Sequence, residues 1–143
     1  MSDDGRLGFR VKRTTSHQFY VFQLIVDGEI FGDDTPCIAG SAFGGLRSPN
    51  VVDDRRLDPD KFTAQEVDAA IFSDDALHTS CVKHLAESLD DCTILMYLFG
   101  GNVNLIVTPH DSHVWSRTVI PSEEFRELVA AMCHFMGLPG PTP

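Results

Sequence analysis

No apolar run in this sequence approaches the roughly 18 residues of a membrane-spanning helix, so no membrane association is expected. There is no C-x-x-C pair either. Cys37, Cys81, Cys92 and Cys133 are scattered, which excludes the ligand spacing of a zinc ribbon and the spacing of a dithiol redox motif. The opening MSDDGRLGFR has no apolar signal-peptide core, so Sec export is not expected. In a chain without an export signal the even cysteine count is poor evidence for disulfides, and the four read as reduced, mostly buried thiols of a cytoplasmic protein. Basic charge is also scarce. Eleven Lys and Arg stand against 21 Asp and Glu, a net charge of −10, and an acidic surface repels phosphate backbones. Direct nucleic-acid binding is not expected on that ground.

What is present fits one domain, 1–143, with frayed ends expected at 1–6 and 137–143. The charge is unevenly spread: residues 27 to 91 hold 15 acidic and 5 basic residues, and the flanks hold 6 of each. The whole net charge therefore lies in the middle of the chain. Such a concentration speeds encounter with a basic partner, or it is simply a solvated surface kept soluble by carboxylates.

The apolar pattern is mostly that of strands. Leu7 to Thr14 alternates loosely, and Phe19 to Val26 is a denser β-branched and aromatic run. Asp27-Gly28 is a type I′ hairpin signal, with Glu29 to Phe31 as a short return strand broken by Gly32-Asp33-Asp34. Ser41 is positioned to cap a short helix through Leu46, which Gly44-Gly45 weakens. The polar stretch from Val51 to Lys61 reads as a loop. Thr63-Ala-Gln-Glu66 is a capping box that opens a helix to Ile71 or Phe72. A second helix is expected from Asp74-Asp75 to Leu89. Thr93 to Phe99, Val103 to Thr108 and Val114 to Ile120 read as three strands, and Pro121 starts a final amphipathic helix. Together these predict an α+β fold: a largely antiparallel sheet of about five strands, with helices mainly on one face.

Asp27, Glu29, Asp33 and Asp34 do not follow the EF-hand order, and a hairpin would keep Asp27 away from Asp33. The HDSH stretch, His110 to His113, lacks the helical H-E-x-x-H spacing of catalytic zinc and reads as a polar turn. His78, Cys81 and His84 would share a broad face of the second helix, beside Leu77, Leu85 and Leu89. That makes Cys81 a core residue before it is a nucleophile. The glycine-rich AGSAFGGL lacks the Lys-Ser/Thr ending of a P-loop, and Ala39 stands where a nucleophile elbow needs glycine. Trp115 serves either the sheet core or a partner contact. No constellation supports an enzyme, and no cofactor or metal is expected. The alternative reading, a small ligand-binding or regulatory domain, would use an apolar pocket near Trp115. A metal-dependent enzyme stands behind it.

Three segments carry a resemblance: FQLIVDGEIFGDD, HVWSRTVI and PSEEFRELVAAMCHF. In this order they resemble small cytosolic immunity proteins of bacterial polymorphic-toxin and contact-dependent inhibition systems. In a similar family an apolar strand runs into an Asn-Gly-x-x-Ile-Gly-Asp type turn, followed later by a tryptophan-bearing strand and a last helix. Here Asp27 replaces the Asn, and the stretch from Pro36 to Lys61 matches nothing closely. The resemblance implies a binding protein that neutralises one cognate toxin domain, many such toxins being basic nucleases. On that reading Asp27, Glu29, Asp33 and Asp34, with Asp53, Asp54, Asp74 and Asp75, form an acidic handle for the toxin.

Overall fold

Asp27 and Gly28 both hold positive φ, 51° and 84°, the backbone that a two-residue type I′ turn demands. The turn joins β2 (Phe19–Val26) to β3 (Glu29–Phe31) in antiparallel register, with Val26 opposite Glu29. β1 (Leu7–Arg13) pairs along the other edge of β2, and β4 (Pro36–Ile38) pairs with the start of β2 beyond the end of β3. The computed structural model describes residues 6–14, 19–38, 46 and 49–137. The short helix expected after Ser41 lies outside them.

This outer sheet keeps the two-residue period of a half-buried strand. Tyr20, Phe22, Leu24 and Val26 turn inward and are buried, while Arg10 and Lys12 on β1 face solvent. A second, central sheet has the order β5–β6–β7–β8, formed by Val82–Lys83, Cys92–Phe99, Asn102–Pro109 and Ser116–Pro121. Its four strands pair antiparallel, and Val51 adds a single parallel bridge to Leu98. β6 and β7 read as nearly continuous apolar runs because both faces of this sheet are covered. Ile94, Met96, Leu105 and Val107 join the core shared with the outer sheet. Leu95, Tyr97 and Ile106 project the other way, into a smaller core with Leu57, Val67, Ile71, Leu77 and Cys81. The fold is α+β with antiparallel strands, and those strands divide between two four-stranded sheets.

The helices occupy both sides of the central sheet. α1 (Ala64–Phe72) starts at the Thr63–Glu66 capping box, in which both reciprocal hydrogen bonds form, 3.0 and 3.2 Å. It packs with α2 (Asp75–Cys81) over the smaller core. α3 (Ser122–Met136) lies on the opposite side and sends Phe125, Val129, Met132, Cys133 and Met136 into the larger core. Gly137, at φ 71°, caps its end in the left-handed conformation.

One expected element is corrected. The second helix does not run to Leu89; it ends at Cys81, because Val82 is extended and pairs with Leu95, as Lys83 does with Ile94. Sheet pairing outcompetes a locally acceptable helix. The chain then passes around the edge of the central sheet, so Leu77 and Cys81 pack on one face while Leu85 and Leu89 pack on the other. A 3-10 turn at Glu87–Leu89 closes that flank, and Ser88 donates its hydroxyl to the carbonyl of Phe22. The Val51 to Lys61 loop also carries a 3-10 turn, Arg55–Leu57. The third strand of the late cluster begins at Ser116.

Candidate functional site

The eight carboxylates read as one handle are distributed over three places. Asp27 and Glu29 are exposed at the β2–β3 hairpin tip. Asp33 and Asp34 follow β3 and are also exposed, with β3 itself standing between the two pairs. Asp53, Asp54, Asp74 and Asp75 lie elsewhere, near the α1–α2 layer. Val52 bonds Leu98 at the far end of β6 from Cys92, which places this third group at the opposite end of the central sheet.

Within the third group, two carboxylates are committed to the fold. Asp54 caps the Arg55–Leu57 turn and Asp74 caps α2 through the amides of Ala76 and Leu77. The Arg56 guanidinium binds both, at 2.7 Å to Asp54 and 2.9 Å to Asp74. Hydrogen bonds from Arg56 hold both carboxyls below their usual range. The single guanidinium offsets one of the two carboxylate charges and holds both groups in place, leaving Asp53 and Asp75 as the exposed members.

Around Asp33 the structure gathers acids from distant parts of the chain. The Asp33 amide donates to the Ser88 carbonyl at 2.9 Å, bringing the end of β3 against the turn that leads to Asp90 and Asp91. The Asp91 carbonyl in turn accepts from the amide of His110 at 2.8 Å, which draws in Asp111. Burial raises the half-buried Cys92 thiol, and the charges of Asp91 and Asp33 raise it further, so both carboxylates bear on the same atom. Thr35 bonds the Asp33 carboxyl through its hydroxyl and its amide, keeping it ionised below the usual range and fixing its direction. Asp33, Asp90, Asp91 and Asp111 are all exposed, and none is ion-paired among the described residues. Asp34 turns toward the groove on the outer sheet, beside Arg10 and Lys12.

Asp90, Asp91 and Asp111 were not singled out from the sequence, although a signal for them exists. Counting back along the β6–β7 hairpin from the Phe99–Asn102 pair reaches Cys92 opposite Pro109, and so Asp91 next to His110. The contact with Asp33 had no such signal, because it joins separate sheets.

Other candidates resolve into structural roles. With α2 ending at Cys81, the triplet His78, Cys81 and His84 no longer shares a helix. Cys81 is fully buried and its thiol is pushed up to about 11 by burial, which makes it a reluctant nucleophile. HDSH forms a turn in which Ser112 donates its amide to Pro109 and accepts from Val114, with His110 and His113 exposed. Trp115 packs against the smaller core and donates its indole N–H to Asp68 at 2.6 Å. None of the four cysteines is in a disulfide. Among the described residues no three His, Cys, Asp or Glu are placed to hold a metal ion, and no helix is long and apolar enough to cross a membrane.

No protein-family model, curated protein or solved structure matches this chain.

Proposed function

We propose that this protein is a cytoplasmic immunity protein that captures a basic toxin domain through the acidic surface built from Asp33, Asp90, Asp91 and Asp111. The observation that carries this reading is the convergence of those carboxylates, from three separate segments, on one exposed surface without cationic partners among the described residues. Uncompensated charge of one sign costs self-repulsion, and it gains value when a partner supplies the opposite sign. The resemblance of the hairpin, the Trp115 segment and α3 to immunity proteins supports the class. A shaped, charged surface is all that such an inhibitor needs, because it works by occupying the toxin and excluding its substrate. Asp27 and Glu29 at the hairpin tip extend the negative field toward the same partner. Asp54 and Asp74 drop out of the handle because Arg56 holds both and each caps an element, the Arg55–Leu57 turn and α2.

The test starts with affinity capture from the source cells at low and moderate salt. A stoichiometric basic partner, lost as salt rises, is the expected outcome. Association rates are then measured with the Asp33→Asn, Asp90→Asn, Asp91→Asn triple variant. Steering predicts a rate about tenfold or more below wild type at low salt, with a flatter salt dependence. A captured partner whose association is indifferent to the three substitutions would remove the acidic surface from the mechanism.

A further inference from the structure

We propose that the cavity beneath α2 and β5 is a binding site for a small organic acid, a carboxylate carried on an apolar body. The cavity measures about 270 Å³, near the lower limit of small-molecule pockets, which suits a fragment-sized ligand. Its polar wall is assembled from separate elements: His78 from α2, Lys83 from β5, His84 from the following turn and His110 from the end of β7. Half of the six histidines of a strongly acidic chain thus line one cavity, together with the lysine of β5.

Those four side chains have no hydrogen bond or ion pair to any described residue, although each carries N–H donors. The described contact of the His78 ring is edge-on against Phe72 at 5.0 Å, which turns an aromatic surface to the rim. The floor is apolar, with Leu85, Leu89 and Ile94 all buried. Donors above an apolar floor match a ligand with an anionic head and a hydrocarbon body, since the head satisfies the donors and the body displaces water from the floor. An imidazole donates at least one N–H whether neutral or charged, so recognition does not require all three rings to be protonated. Among the described residues Asp90 is the one carboxylate lining the cavity, and it is exposed, where solvent and salt screen its repulsion. The early break of α2 creates this site. A helix continued to Leu89 would have kept Lys83 and His84 on its own surface, away from His110.

The site borders the acidic surface of the proposed function at Asp90 but does not rest on that reading. Its test is an NMR titration of the full chain with phenylacetate, and with the neutral phenylacetamide as comparison. The expected result is a saturable perturbation of the imidazole signals of His78, His84 and His110 and of the Ile94 methyls. Phenylacetamide should bind about tenfold more weakly, and so should phenylacetate to the Lys83→Met, His84→Gln variant, the loss expected when charge-assisted bonds are removed. Equal binding of acid and amide would overturn the anion site, and so would perturbations centred on Arg10 and Lys12. Absence of any saturable change with either probe would show that the cavity is not a ligand site.

Discussion

Tyr97 is among the largest side chains of the molecule to be fully buried, and its hydroxyl donates to the Leu57 carbonyl at 2.7 Å. Burial pushes its ionisation well above the usual range, so it remains a donor at any working pH. Tyr97→Phe should destabilise the protein by about 1–2 kcal/mol in urea titrations, because the carbonyl of Leu57 is left buried without its partner. Cys81 gives a prediction in pH. Its folded thiol, pushed up to about 11, keeps its proton where the unfolded thiol has lost it. The native state then binds more protons than the unfolded state, so stability falls as pH rises from about 9 toward 11. In Cys81→Ala the urea midpoint should decline less steeply over that window; an unchanged slope would show that another group is responsible. That Cys81 belongs to the core was legible from its apolar helix face. The Tyr97–Leu57 bond was not, since 40 residues separate its ends and neither residue type announces a partner.

Elements whose determinants are local could be read directly. The Asp27-Gly28 turn needs only its own two residues. A Cβ at Gly28 would meet nothing within 4 Å, so Gly28→Ala isolates the backbone penalty of positive φ. That substitution should cost about 1–2 kcal/mol by thermal or urea unfolding, with Gly28→Asn closer to wild type. The Thr63–Glu66 box likewise declares the start of α1 four residues at a time. The end of α2 could not be read in this way. Val82 to Leu89 is compatible with helix, and the decision lies with Leu95 and Ile94, whose open sheet edge recruits Val82 and Lys83. That same competition separated His84 from Cys81 and set it beside His110.

At the level of the whole molecule, the segregation of charge along the chain was plain, and its segregation in space was only half visible. Eight acids read as one handle are split between the hairpin tip, the Asp33 surface and the Arg56 network, whereas Asp90, Asp91 and Asp111 join Asp33 through its amide bond to Ser88 and the His110–Asp91 bond. The division of strands into two sheets was recorded in the contrast between an alternating β1 and the nearly unbroken apolar β6 and β7. A sheet covered on both faces needs such strands, but the pattern does not say what covers them. The covering is unequal. α1 and α2 rest on a core of eight buried residues, while the opposite face is held by the outer sheet and α3 together. The molecule should therefore come apart in stages. Amide exchange in α1 and α2 is expected to proceed by partial opening, with protection below that of β6 and β7, whose exchange should track global unfolding. Because Phe72 of α1 and His78 of α2 line the cavity, it inherits this low threshold: a ligand there would act as a latch, slowing exchange in α1 and α2 while leaving the strands beneath unchanged.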